Sequence, residues 1–154
     1  REGIEFGFDL SIVTGLDILG AYTYSELEFE RFVNVPDAVG SNVPGVPKHH
    51  GYIELDYHHS SGMFVKWDWT YVGSIFADNL NQTKASNYNL SNLVIGTTKK
   101  FNRFTVSPRF GVNNLFKQDY NQEIRIQDAT SRFFEPAPDR NIYGALQVNY
   151  QFSD

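Results

Sequence analysis

Cysteine is absent from this 154-residue chain, which excludes a disulfide scaffold, a thiolate metal site and a cysteine nucleophile. Basic charge is scarce: 13 Lys and Arg stand against 18 Asp and Glu, for a net charge of −5. No basic face is left for a phosphate backbone, so nucleic acid is not an expected partner. Long hydrophobic runs are missing too. No stretch approaches the roughly 18 apolar residues of a transmembrane helix, but a transmembrane β-barrel stays open, because its strands alternate and never form such a run. No signal peptide opens the chain. Arg1-Glu2-Gly3 leads straight into patterned sequence, so the expectation is a mature chain or one whose true beginning lies upstream.

What the chain does have is aromatic residues: 13 Phe, 9 Tyr and 2 Trp make up 16% of it, interleaved with polar residues. Period-two alternation dominates and helical spacing is rare. From Ile4 to Ile12 every even position is apolar, against Glu5, Gly7, Asp9 and Ser11. A second run starts at Leu16, with Ile18, Tyr22 and Tyr24 on one face, and loses its apolar side near Glu26, Glu28 and Glu30. A third sets Ile53, Leu55 and Tyr57 against Glu54, Asp56 and His58. A fourth sets Met63, Val65, Trp67, Trp69 and Tyr71 against Phe64, Lys66, Asp68 and Thr70. The fifth, over 87–98, alternates less cleanly, and a register slip is expected near Asn92. The sixth sets Phe104, Val106, Phe110 and Val112 against Thr105, Ser107, Arg109 and Asn113. The last sets Ile142, Leu146, Val148, Tyr150 and Phe152 against Tyr143, Gln147, Asn149 and Gln151.

Seven strands follow, with no domain boundary. Tight connections near 13–15, 59–62 and 99–103 alternate with long ones near 31–47, 76–86 and 117–140, rich in Pro, Asn, Asp and Gly. Short turns at one end and long loops at the other are the plan of an outer-membrane barrel. Alternation alone also fits a soluble lipocalin-like barrel with its apolar face inside. Aromatic residues toward strand ends and strands of bilayer-crossing length favour the membrane. On that reading Glu54, Asp56, Lys66, Asp68, Arg109 and Gln147 face a wet lumen. Tyr57, Trp67, Trp69, Tyr71, Phe110 and Tyr150 face lipid or form an aromatic girdle.

Parity adds a constraint. The first strand starts at the long-loop end and the last finishes at the short-turn end, which leaves two open edges. Unpaired N–H and C=O groups there would each cost several kcal/mol in hydrocarbon. The expectation is therefore a segment of a larger barrel, unless Gln122–Gln127, with Ile124 and Ile126 alternating, is an eighth strand. That stretch reads instead as an extramembrane extension of a hairpin.

Certain residues then look familiar. Pro44-Gly45-Val46-Pro47-Lys48-His49 opens a strand, and Tyr71-Val72-Gly73 precedes Ala77-Asp78-Asn79 and Asn81. Val112-Asn113-Asn114-Leu115-Phe116 precedes Tyr120, then Pro136, Pro138, Arg140, Tyr143-Gly144 and a terminal Tyr150-Gln151-Phe152. In this order, over about residues 3–152, they resemble the C-terminal barrel of TonB-dependent outer-membrane receptors. The resemblance implies an all-β, antiparallel up-and-down transmembrane barrel of about 22 strands, of which residues 1–154 are the last seven. The plug domain and earlier strands would lie outside this chain. It also implies a bacterial outer-membrane location and energy-coupled uptake of an iron–siderophore or similar scarce nutrient. The TonB-type transducer would engage the missing N-terminal part. The outer-membrane assembly machinery would read Val148, Tyr150 and Phe152. Two departures stand out: Ser153 and Asp154 follow the terminal aromatic, and Lys117 stands where Asp is frequent.

Other constellations favour bland accounts. His50 and His58 on one strand lie about 26 Å apart at 3.3 Å per residue, so they cannot share a metal ion. Asp56 with Asp68, or Glu54 with Asp56, reads as solvated lumen charge or as partners of Lys66 and Arg109, not as an acid/base pair. Nothing resembles a nucleophile or an oxyanion pocket, so neither an enzyme nor a resident cofactor is expected. Asn81-Gln82-Thr83 matches a glycosylation sequon but reads as loop chemistry. Glu26, Glu28, Glu30 and Asp37 read as a solvated strand extension rather than a cation-selecting cluster. The alternatives to a receptor segment are a self-contained eight-stranded outer-membrane barrel, structural or adhesive, and the lipocalin-like binder.

Overall fold

The computed structural model describes residues 1–127, 129 and 132–152. Alternation turns directly into antiparallel strands: β1 (Glu2–Val13), β2 (Leu16–Glu26), β3 (His49–His58) and β4 (Met63–Val72) follow one another as hairpins. A small ribbon of β5 (Ile75–Phe76) and β6 (Lys84–Ala85) sits in the next long loop. Then come β7 (Tyr88–Thr97), its continuation β8 (Lys99–Phe101), and β9 (Phe104–Asn113). A second ribbon, β10 (Asn121–Ile124) with β11 (Phe134–Pro136), precedes β12 (Asn141–Tyr150). The sheet runs β1-β2-β3-β4-β7-β9-β12, a seven-strand meander with β8 paired to β9. The stretch from Gln122 is therefore no eighth wall strand. Its Glu123 and Ile124 pair with Glu135 and Phe134 in the loop ribbon, as a hairpin extension would.

Two sequence expectations change. The second strand stops at Glu26, and Glu28 makes only an isolated bridge to Asn42. No slip occurs at Asn92: β7 pairs with β4 in one unbroken register from Met63↔Thr97 to Val72↔Tyr88. The untidy alternation comes from Leu90 and Val94, apolar residues on the otherwise polar face, opposite Thr70 and Lys66.

Register sorts the side chains into two faces. One apolar face carries Tyr57 beside Val65, Leu55 beside Trp67, Ile53 beside Trp69 and Ile95 beside Phe110. It continues through Val112 beside Ile142, Val106 beside Val148 and Phe104 beside Tyr150. It is also the open face: Leu146 is 66% exposed and Phe6 61%. Among the described residues the only buried apolar side chains are Ala38, Pro44, Val72, Ala77 and Ala85, all in the long loops or at the strand ends that enter them. The sheet has no hydrophobic core of its own. Its apolar face needs a cover.

Candidate functional site

Two regions carry chemistry: the polar face of the sheet and the cluster of long loops at one end. On the polar face, Glu54 stands opposite Asp68 and Asp56 opposite Lys66. Lys66 Nζ meets Glu54 Oε1 diagonally at 2.7 Å, and Tyr52 donates its hydroxyl to Glu54 Oε2. Asn92 Nδ2 donates to Asp68 Oδ2 at 2.8 Å, and His58 Nε2 approaches Asp56 Oδ1 to 3.1 Å. Of the carboxylates expected to partner Lys66, it is Glu54 that does so. Arg109 makes no ion pair among the described residues; it borders a hollow of about 310 Å³ with Asp56, His58, Lys66 and Tyr143. Gln147 stands beside Ser107 on the same face. The Tyr143 ring lies over Gly111, where a Cβ would come within 2.3 Å of it, so the close approach needs glycine.

On the apolar face, Trp69 and Tyr71 stack with ring centres 6.4 Å apart. At the short-turn end Tyr150 contacts Phe104 at 4.9 Å and Phe152 at 4.7 Å. Val148 sits two residues before Tyr150 on that face, while Ser153 and Asp154 lie outside the described residues. His49 and His50 begin β3 and His58 closes it, on opposite ends as expected. His49 Nδ1 bonds the Tyr22 hydroxyl at 2.7 Å. No cluster of metal-ligating side chains occurs among the described residues.

The loops interlock. Asn81 Oδ1 accepts from Asn42 N at 2.7 Å, and Asn81 Nδ2 donates back to Asn42 O at 2.9 Å. Gly45 N donates to Phe76 O, and Gln127 N donates to Ala77 O, both at 2.9 Å. Loops 27–48, 73–87 and 114–140 are thereby tied together. Asp78 organises the second: its carboxylate accepts the Leu80, Gln82 and Thr83 N–H groups. Burial pushes the Asp78 pKa up, but these backbone donors outweigh it and hold the carboxyl below the ordinary aspartate range. Asn114, 3% exposed, caps the third loop: Oδ1 accepts Gln118 N and Nδ2 donates to Gln118 O, both at 2.8 Å. Asp78, Asn81 and Asn114, three of the residues that carry the resemblance, thus hold the loops in place. The Asn42–Asn81 clasp was missed in the sequence, where Asn42 carries no local signal.

Residues 1–115 match the family model described as TonB dependent receptor-like, beta-barrel. The chain belongs to that family. As a TonB-dependent receptor barrel it is a protein of the Gram-negative outer membrane, and its relatives are transport receptors, not enzymes. An uncharacterized TonB-dependent receptor of Haemophilus influenzae is 33% identical over 101 residues, covering 63% of this chain and 29% of that protein. Among solved structures, the ferric preacinetobactin receptor BauA of Acinetobacter baumannii superposes with a TM-score of 0.80 at 19% identity. The match covers 97% of this chain and 22% of BauA. The ferric yersiniabactin uptake receptor FyuA of Yersinia pestis gives 0.71 at 22% identity, over 97% and 23%. This TonB-dependent receptor chain thus spans less than a third of the length of such relatives.

Proposed function

We propose that this chain is the C-terminal wall of a larger receptor barrel, the last seven of about 22 strands, in a protein that also carries a plug domain. The whole receptor takes up a ferric siderophore or a similar scarce nutrient, driven by a TonB-type transducer that engages the missing N-terminal part. The observation that carries this reading is the pair of open edges. β1 begins opposite the end of β2 at the long-loop side, and β12 ends opposite the start of β9 at the short-turn side. Neither outer edge pairs with anything among the described residues. Such edges are untenable in lipid, so neighbouring strands must complete them. A self-contained eight-stranded barrel finds no support, because no eighth wall strand is present among the described residues.

In this reading Glu54, Asp56, Lys66, Asp68, Arg109 and Gln147 line the lumen. Tyr57, Trp67, Trp69, Tyr71, Phe110 and Tyr150 meet lipid or its interface. Val148, Tyr150 and Phe152 are read by the assembly machinery. The facing is supported by register, which gathers Glu54, Asp56, Lys66 and Asp68 on one face of the sheet and Tyr57, Trp67 and Trp69 on the other. The test is uptake of radioactive iron from a panel of ferric siderophores by iron-starved cells. Loss of uptake on deleting either the receptor or the transducer is expected. Uptake unchanged by receptor deletion across the panel would contradict the iron–siderophore reading.

A further inference from the structure

The apolar face is not a uniform surface. Leu93–Gly96 pairs with Val112–Arg109, and Lys99–Phe101 pairs with Val106–Phe104 in the same register. Between them Thr97 and Thr98 face Pro108 and Ser107 without a ladder pair. Proline has no N–H to give the ladder, so the break falls at Pro108. Beside this break lies a groove of about 770 Å³ lined by Met63, Val65, Ile95, Pro108 and Phe110.

Lys99 stands at its mouth. The register puts Lys99 on the apolar face opposite Val106, two residues from the Phe101–Phe104 pair at the short-turn rim. Its Nζ donates to the Ser61 carbonyl, and it makes no ion pair among the described residues. An ammonium has three donors, which leaves two. A cation held to the turn, on the side we assign to lipid and at the depth of an aromatic rim, is complementary to a phosphodiester above an acyl chain.

We propose that this groove holds one anionic phospholipid, with an acyl chain along Met63, Val65, Ile95 and Phe110 and the phosphate on Lys99. The inference rests on the apolar face meeting lipid. A zwitterionic lipid carries its own cation beside the phosphate and gains less from Lys99, so the site discriminates by headgroup charge. The competing account is a lysine that merely reaches for water.

The test uses the whole receptor with one fluorophore, attached at Ile95→Cys or, as a control on the same face far from Lys99, at Ile142→Cys. It is reconstituted in phosphatidylcholine vesicles containing a minor fraction of chain-brominated phosphatidylglycerol or chain-brominated phosphatidylcholine. At position 95 the brominated phosphatidylglycerol should quench several-fold more than the phosphatidylcholine. Lys99→Gln should erase the difference and Lys99→Arg should keep it, while position 142 is quenched equally by both. Equal quenching at both positions with Lys99 intact overturns the site but leaves the lipid-facing assignment standing. No quenching at either position overturns that assignment as well. Native mass spectrometry of the unlabelled receptor should likewise retain phosphatidylglycerol over phosphatidylcholine, and Lys99→Gln should lose it. Equal retention of the two lipids would overturn the site even if the labelled proteins failed to fold.

Discussion

The indole Nε1 of Trp67 donates to Ser91 Oγ at 2.7 Å, across the β4–β7 pair on the apolar face. Ser91 is 2% exposed and its hydroxyl in turn donates a hydrogen bond to the Asp68 carbonyl at 3.1 Å. A tryptophan on the apolar face must still satisfy its N–H, and a buried donor left unpaired costs about 1–3 kcal/mol. Ser91→Ala should therefore destabilise the receptor barrel by about 1–2 kcal/mol, read by denaturant unfolding from lipid vesicles. In a Trp67→Phe background, which has no N–H to strand, the same change should cost much less. Equal costs in the two backgrounds would show that the hydrogen bond is not what Ser91 contributes.

Loop order should depend on acidity through Asp78. Its pKa lies below the ordinary value of about 3.9, so its stabilisation is complete above that value and is lost as pH falls through the folded-state pKa. Amide exchange at Leu80, Gln82 and Thr83, corrected for the intrinsic effect of pH, should show the same protection at pH about 6 and about 5, and lower protection well below pH 4. Asp78→Ala should lose that protection at every pH. Protection that stays unchanged at the acid end would remove the carboxylate from the account.

The clasp between Asn42 and Asn81 makes a separate prediction. Asn81→Ala should raise proteolytic cleavage in both 27–48 and 73–87, because one side chain holds the two loops together. Thermal unfolding of the strands should hardly change. Cleavage confined to 73–87 would mean that the loops are held independently.

Much of this fold was legible in the sequence because burial on one face imposes a period of two. From Ile4 to Leu10, and from Met63 to Tyr71, nearly every residue announces its side. Legibility failed where that link breaks. Leu90 and Val94 put apolar side chains on the polar face and imitated a slip that the β4–β7 register does not contain. Glu28 and Glu30 continue the polar alternation past the end of β2, where the partner strand has already ended. The loop contacts join residues 39 positions apart, Asn42 and Asn81, and nothing in either neighbourhood encodes the other. The tyrosine over Gly111 and the pairing of Lys66 with Glu54 rather than with the facing Asp56 are settled by register and side-chain reach, which composition cannot supply.

The terminal aromatics carry an assembly prediction. Val148 and Tyr150 share the apolar face, and the Phe152 ring packs on Tyr150 at 4.7 Å. In the whole receptor, Phe152→Ala should lower the amount assembled in the outer membrane far more than the stability of assembled molecules. Deleting Ser153 and Asp154 should be nearly silent. Normal assembly of Phe152→Ala, with assembly blocked by the two-residue deletion, would put the signal elsewhere.

The central claim is that the apolar face meets lipid and the polar face a water-filled lumen, and adjacent positions on β4 test it most directly. Nitroxide labels placed singly at Trp67 and Asp68 of the reconstituted receptor should respond oppositely to membrane-soluble oxygen and to a water-soluble nickel chelate. Position 67 should be relaxed mainly by oxygen, and position 68 mainly by the chelate. Equal accessibility at the two positions, or the reverse order, would contradict the account.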